Sequence, residues 1–269
     1  MLIRILFAAI TALAISGCAT PVSIVEVAST STLTPMIVGD GAFQIQSLQP
    51  KVGHFAKLRV YIEGDGRAWV TASQPSADPT PLNAMVVNLA TADPAPIAYL
   101  ARPCQFVGNI NCRPAVWTDR RFSREVIDSM SSALDALKQL FAVEQFELVG
   151  YSGGAAVALI LAGERDDVVQ VQTIAGNLDP SAWVQAKGLS PLTGSLDPLD
   201  YRARLRSIPQ RHFVGRADKV IAPSLVLGYA RKVQAQCLEV VEVDATHQQG
   251  YASVWAASSY QPISCSDSP

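Results

Sequence analysis

Apolar residues follow two rhythms along the chain. Leu58–Gly64 (LRVYIEG), Ala98–Pro103 (AYLARP), Phe146–Gly150 (FELVG) and Val168–Gly176 (VVQVQTIAG) are short apolar runs bounded by Gly or Pro. That is the pattern of strands buried on both faces. Arg211–Asp218 (RHFVGRAD) and Cys237–His247 (CLEVVEVDATH) read the same way, and Ala42–Leu48 (AFQIQSL) alternates like a first strand. Between the runs the period changes. Val126, Met130, Leu134, Leu137 and Phe141 fall at helical spacing and predict a helix over 124–142, with Ser123 as its cap and Glu125 in its first turn. Further helices are predicted over 153–163, packed through Gly and Ala, and over 223–235. Ala28–Pro35 (ASTSTLTP) is loop-like by composition.

Buried strands alternating with helices specify an α/β fold, a mostly parallel sheet with helices on both faces. In such sheets ligands bind beyond the carboxyl ends of the strands. The chain has 269 residues and is 49% hydrophobic, enough for one domain with a sizeable core. Segment 178–208 lacks a strand pattern and lies between two strands. It is either a small lid above the strand ends or a long connection carrying one helix.

The N-terminus has a different character. Residues 1–18, MLIRILFAAITALAISGC, carry one Arg and then an apolar run from Ile5 to Ile15. The run is too short to span a bilayer and reads as the apolar region of a signal peptide. Its end, Ile15-Ser16-Gly17-Cys18, resembles a bacterial lipobox. That resemblance implies a signal peptide at 1–17, lipidation of Cys18 and a stable anchor made of several acyl chains. Residues 18–50 would then be lipidated N-terminus, tether and first strand, and 51–269 the main domain. Ala19 rather than Asp follows Cys18, which implies an outer-membrane protein facing the periplasm. The alternative is an ordinary secretory signal with a chance cysteine.

Export changes the reading of the other cysteines. Cys104, Cys112, Cys237 and Cys265 remain, an even number that suggests disulfides, with three connectivities open. The simplest pairs Cys104 with Cys112 and Cys237 with Cys265. No C-x-x-C occurs, so nothing supports a zinc or redox motif. The net charge is −2 and no long basic run is present, which argues against nucleic acid as a partner.

The candidate chemistry sits at Gly150-Tyr151-Ser152-Gly153-Gly154, a G-x-S-x-G between a predicted strand and a predicted helix. A serine on such a turn projects above the sheet, and its flanking glycines let strand and helix approach. A serine hydroxyl needs a base. Of three histidines, His54 precedes the first long strand and His212 lies at the wrong end of its strand, which leaves His247. The imidazole needs an orienting carboxylate. Asp218 just past its strand is favoured over Asp244, which is close to His247 in sequence, and over Asp179.

GYSGG, GRADKVI and THQQGY together resemble the nucleophile elbow, acid turn and histidine loop of the α/β-hydrolases, over roughly residues 43–262. The resemblance implies Ser152 as nucleophile, Asp218 as acid and His247 as base. It also implies an oxyanion hole formed by the N–H of Gly153 and one from the loop after Leu58–Gly64. Many relatives carry His-Gly there, whereas this chain has Glu63-Gly64-Asp65-Gly66. Gly64 or Asp65 is the expected donor. Two carboxylates beside a developing oxyanion oppose catalysis unless turned away or paired, and Arg67 or Arg102 could pair them. The loop at 99–123 could also line a pocket, with Arg102 or Arg113 facing an anionic substrate.

These readings converge on an envelope-anchored serine hydrolase, esterase- or lipase-like, with a small-molecule or lipid acyl substrate. No metal or organic cofactor is implied. Two alternatives stay open: a non-catalytic binding or assembly lipoprotein on the same fold, and an acyltransferase using the same nucleophile.

Overall fold

The computed structural model describes residues 20–265. The expected signal peptide and Cys18 lie outside them. Eight strands form one sheet in the order β1-β2-β4-β3-β5-β6-β7-β8. They are β1 (Thr34–Val38), β2 (Ile45–Gln49), β3 (Lys57–Ile62), β4 (Ile97–Leu100), β5 (Gln145–Tyr151), β6 (Val168–Ile174), β7 (Gln210–Gly215) and β8 (Leu238–Val243). From β4 to β8 every pairing is parallel. Strands β1 and β2 add antiparallel at one edge.

The helices are α1 (Ile24–Ser29), α2 (Met85–Thr91), α3 (Arg124–Phe141), α4 (Gly153–Glu164), α5 (Pro180–Lys187), α6 (Arg202–Leu205), α7 (Pro223–Val233) and α8 (Ala252–Ser258). They divide between two cores. Leu58, Val60 and Ile62 of β3 join one core with α3, α4 and α7. Tyr61, pointing the other way as strand alternation requires, joins the second core with α1, α2 and α8. Helix α4 touches the sheet through small residues and is buried along almost its whole length.

Several sequence readings change in detail. Ala28–Pro35 ends the helix α1 and begins the edge strand β1. That strand is half exposed, so its pattern lacks the continuous apolar run of the central strands. Helices α2 and α8 went unread. Each is seven residues long, too short to show a helical period. The stripe on α3 is buried as expected, but the Ser123 hydroxyl makes no cap bond. Segment 178–208 carries α5, a 3₁₀ turn at Pro198–Tyr201 and α6 rather than a single helix. Disulfides join Cys104 to Cys112 and Cys237 to Cys265, the second tying the tail to the start of β8.

Candidate active site

The β5–α4 turn sets the geometry. Ser152 has φ +48° and ψ −120°, a conformation that costs an L-residue about 1–3 kcal/mol. The surrounding backbone holds it there. The Ser152 N–H donates to Ile174 O at 3.1 Å, and its carbonyl accepts from Asn177 N–H at 2.9 Å and Ala155 N–H at 3.1 Å. The glycines have a steric cause. A Cβ on Gly150 would lie 2.4 Å from Ala155 Cα, and one on Gly154 would lie 2.5 Å from the Ile62 carbonyl oxygen.

The loops after β7 and β8 bring the partners. His247 Nε2 lies 3.0 Å from Ser152 Oγ, and His247 Nδ1 lies 2.8 Å from Asp218 Oδ2. The other Asp218 oxygen accepts from the N–H groups of Val220 at 2.7 Å and Ile221 at 2.9 Å. That fixes the carboxylate, and its side chain is fully buried. Tyr151 stacks near the imidazole, ring centroids 5.4 Å apart, and its hydroxyl donates to His247 O.

The structure separates the other candidates. Asp179 caps α5 through Ala182 N–H and pairs with Lys232 at 2.5 Å. Asp244 pairs with Arg216 on the surface. His212 is buried within the sheet against Thr173 and Gln210, where burial pushes its pKa down to about 3. None of them reaches Ser152.

The loop after β3 corrects one expectation. The Gly64 N–H donates to Glu63 Oε1 at 2.8 Å, so it is spent and cannot serve an oxyanion. Glu63 is 2% exposed, and its other oxygen accepts from the Tyr99 hydroxyl at 2.8 Å. Burial raises its pKa to about 7 against those bonds and against Arg102. Asp65 pairs with Arg102 at 3.3 Å and with Arg121 at 2.6 Å. Arg121, unread in the sequence, is therefore the closer partner. Arg67 makes no ion pair among the described residues, and Arg113 sits half exposed, 3.8 Å from Glu125. The N–H groups of Gly153 and Asp65 have no acceptor among the described residues. Gly153 opens α4, whose first N–H groups lack intrahelical partners.

A cleft of about 930 Å³ opens over Ser152 and His247. Trp183, Leu189, Pro191 and Leu192 from segment 178–208 line it, as do Ala68, Trp69 and Leu82. Arg121 and Asp65 also line it.

No protein-family model and no curated protein matches the sequence. The fold does have solved counterparts. An esterase of Pyrococcus furiosus superposes with a TM-score of 0.61 at 10% identity, covering 88% of this chain and 92% of that one. The chain has the α/β-hydrolase fold. Est1E of Butyrivibrio proteoclasticus gives 0.57 at 13% identity, covering 83% and 94%. A serine hydrolase homologue of Coxiella burnetii gives 0.53 at 18%, covering 80% and 89%. In this α/β-hydrolase fold the serine turn, Asp218 and His247 all follow the carboxyl ends of parallel strands.

Proposed function

We propose that the protein is a serine hydrolase acting on carboxylic esters, with Ser152, His247 and Asp218 as its triad. The observation that supports this most is the continuous line Ser152 Oγ–His247 Nε2, His247 Nδ1–Asp218 Oδ2, at 3.0 and 2.8 Å, on a strained turn. The esterases among the structural neighbours add support for ester chemistry.

In this reading Ser152 Oγ attacks the acyl carbon as His247 Nε2 takes its proton. The carbonyl oxygen becomes an oxyanion that accepts from Gly153 and Asp65 N–H. Asp218 holds the Nδ1–H tautomer and stabilises the imidazolium, which then protonates the leaving alcohol. Water, deprotonated by the same imidazole, attacks the acyl-enzyme and restores Ser152. The paired arginines offset the Asp65 carboxylate near that oxyanion. The apolar residues that line the cleft suit an acyl chain or a similarly apolar group.

Labelling of the mature domain with a fluorophosphonate probe tests the reading. Labelling of wild type, absent in Ser152→Ala and strongly reduced in His247→Ala, is expected, with turnover of p-nitrophenyl esters. A folded wild type that neither labels nor hydrolyses esters overturns it and leaves the binding-protein reading. We further propose that the protein is tethered to the bacterial envelope, in the outer membrane, by lipidated Cys18. Incorporation of labelled palmitate, lost in Cys18→Ser, is the corresponding test.

A further inference from the structure

The Asp65 N–H is held from two sides, by the ion pairs of the Asp65 carboxylate and by the peptide in which it sits. It belongs to the same peptide group as the Gly64 carbonyl, and no cis peptide occurs among the described residues. In a trans peptide the C=O and the next N–H point in opposite directions. Whatever binds Gly64 O therefore aims Asp65 N–H. Gln105 Nε2 donates to Gly64 O at 2.9 Å, and Gln105 Oε1 accepts from Arg102 N–H at 2.9 Å. Only one amide orientation satisfies both bonds. This peptide lies beside the nucleophile turn, since a Cβ on Gly64 would approach Tyr151 Cδ1 to 2.9 Å and Ser152 Cβ to 3.3 Å.

Gln105 is 1% exposed and does not line the cleft. Its surroundings hold it firmly. Both neighbours adopt left-handed backbone, Cys104 at φ +68° and Phe106 at φ +62°, conformations that need outside support. Cys104 is held by its disulfide to Cys112. Phe106 N–H donates to Thr80 Oγ1 at 2.8 Å, and Gln105 N–H to Arg102 O at 3.2 Å. The amide is also close-fitted, because a Cβ on Gly66 would lie 2.7 Å from Gln105 Nε2.

We propose that Gln105, presented by the Cys104–Cys112 loop, is a positioning residue that aims the Asp65 N–H at the carbonyl oxygen of the substrate. The proposal rests on the serine-hydrolase reading. Its effect belongs to the transition state, because an oxyanion donor gains most as charge develops on the oxygen.

The test compares wild type with Gln105→Glu and Gln105→Met. The first keeps the acceptor for Arg102 N–H but loses the donor to Gly64 O once it is ionised, so it is assayed from pH 7 to pH 9. The second keeps the volume and loses both. Each is measured for kcat and KM on a p-nitrophenyl ester and for inhibition by an aryl boronic acid, whose serine adduct carries a tetrahedral oxyanion-like oxygen. Circular dichroism and thermal unfolding confirm the fold. In whichever variant folds, kcat is expected to fall by about tenfold to a hundredfold, with KM within about twofold and boronate affinity falling in step. Cys104→Ser/Cys112→Ser is expected to show the same split more weakly. Wild-type kcat and boronate affinity in a folded Gln105 variant overturn the proposal, as does a rise in KM alone. A wild type that neither labels nor turns over overturns the serine-hydrolase reading instead, so the two failures are distinct.

Discussion

The Asp65 carboxylate sits against Gly153, so close that a Cβ on the glycine would lie 2.1 Å from Asp65 Oδ1. The carboxylate cannot simply swing aside, because Arg121 holds it at 2.6 Å and Arg102 at 3.3 Å. Gly153→Ala is therefore expected to displace the loop that carries the Asp65 N–H. Misplacing a reacting group by about 1 Å costs on the order of a hundredfold, and kcat should fall by about that much in a folded variant. Steady-state kinetics on a p-nitrophenyl ester decide it. An unchanged kcat would mean that the carboxylate moves freely.

Arg121→Met removes the closer partner of a largely buried carboxylate. Breaking a buried ion pair from one side costs about 3–5 kcal/mol, and the lower end is expected because Asp65 keeps some exposure. Activity should fall as well, since the carboxylate near the oxyanion loses one of its two counter-charges. Urea denaturation and kcat on the same preparation measure both effects.

The three aspartates should respond differently. Asp218→Asn leaves the His247 contact geometry in place but favours the wrong tautomer, with a loss of about 10⁴ in kcat expected. Asp179→Asn keeps an oxygen to cap α5 but breaks the pair with half-exposed Lys232 and should cost about 1 kcal/mol or less of stability with little change in kcat. Asp244→Asn breaks only a surface pair and should change neither. Comparable loss of kcat in Asp179→Asn or Asp244→Asn would contradict the assignment.

Glu63 gives a stability term with a definite sign. Its folded pKa is raised to about 7 by burial, above the unfolded value, so the folded state holds its proton more tightly. This contribution is fully present below the unfolded pKa, near 4.5, and is lost as pH rises through about 7. Glu63→Gln should flatten that decline. Denaturation midpoints of the two proteins at pH 5 and pH 8 are expected to shift in favour of the variant at the higher pH.

His212 acts in the opposite direction. Burial lowers its pKa to about 3, so the unfolded chain takes up the proton first. Stability is full above the unfolded pKa, near 6.5, and declines as pH falls toward 3. His212→Gln should show a flatter acid limb than wild type. It should also retain fluorophosphonate labelling, which His247→Ala should not.

The fold class was legible because the central strands are largely buried on both faces, α3 presents a buried stripe and α4 is apolar along almost its whole length. Strand burial writes continuous apolar runs into the chain, and the α3 stripe writes a helical period. The serine turn was legible for a related reason. Gly150 and Gly154 are forced by backbone contacts within and beside one local unit. Edge strand β1 and the short helices α2 and α8 left no such period.

What the sequence determined, then, was the alternation of elements, the G-x-S-x-G turn and a short set of acids and bases, all set by local sterics and burial. Proximity between distant segments was decided only by tertiary structure. Asp218 and not Asp179 meets His247 because β7 and β8 are adjacent in the sheet, while Asp179 is drawn to Lys232. Arg121 reaches Asp65 across 56 residues, and Gln105 reaches Gly64 across 41. Hydrogen bonds act over about 3 Å of space, and no spacing along the chain encodes which groups folding will bring within that reach.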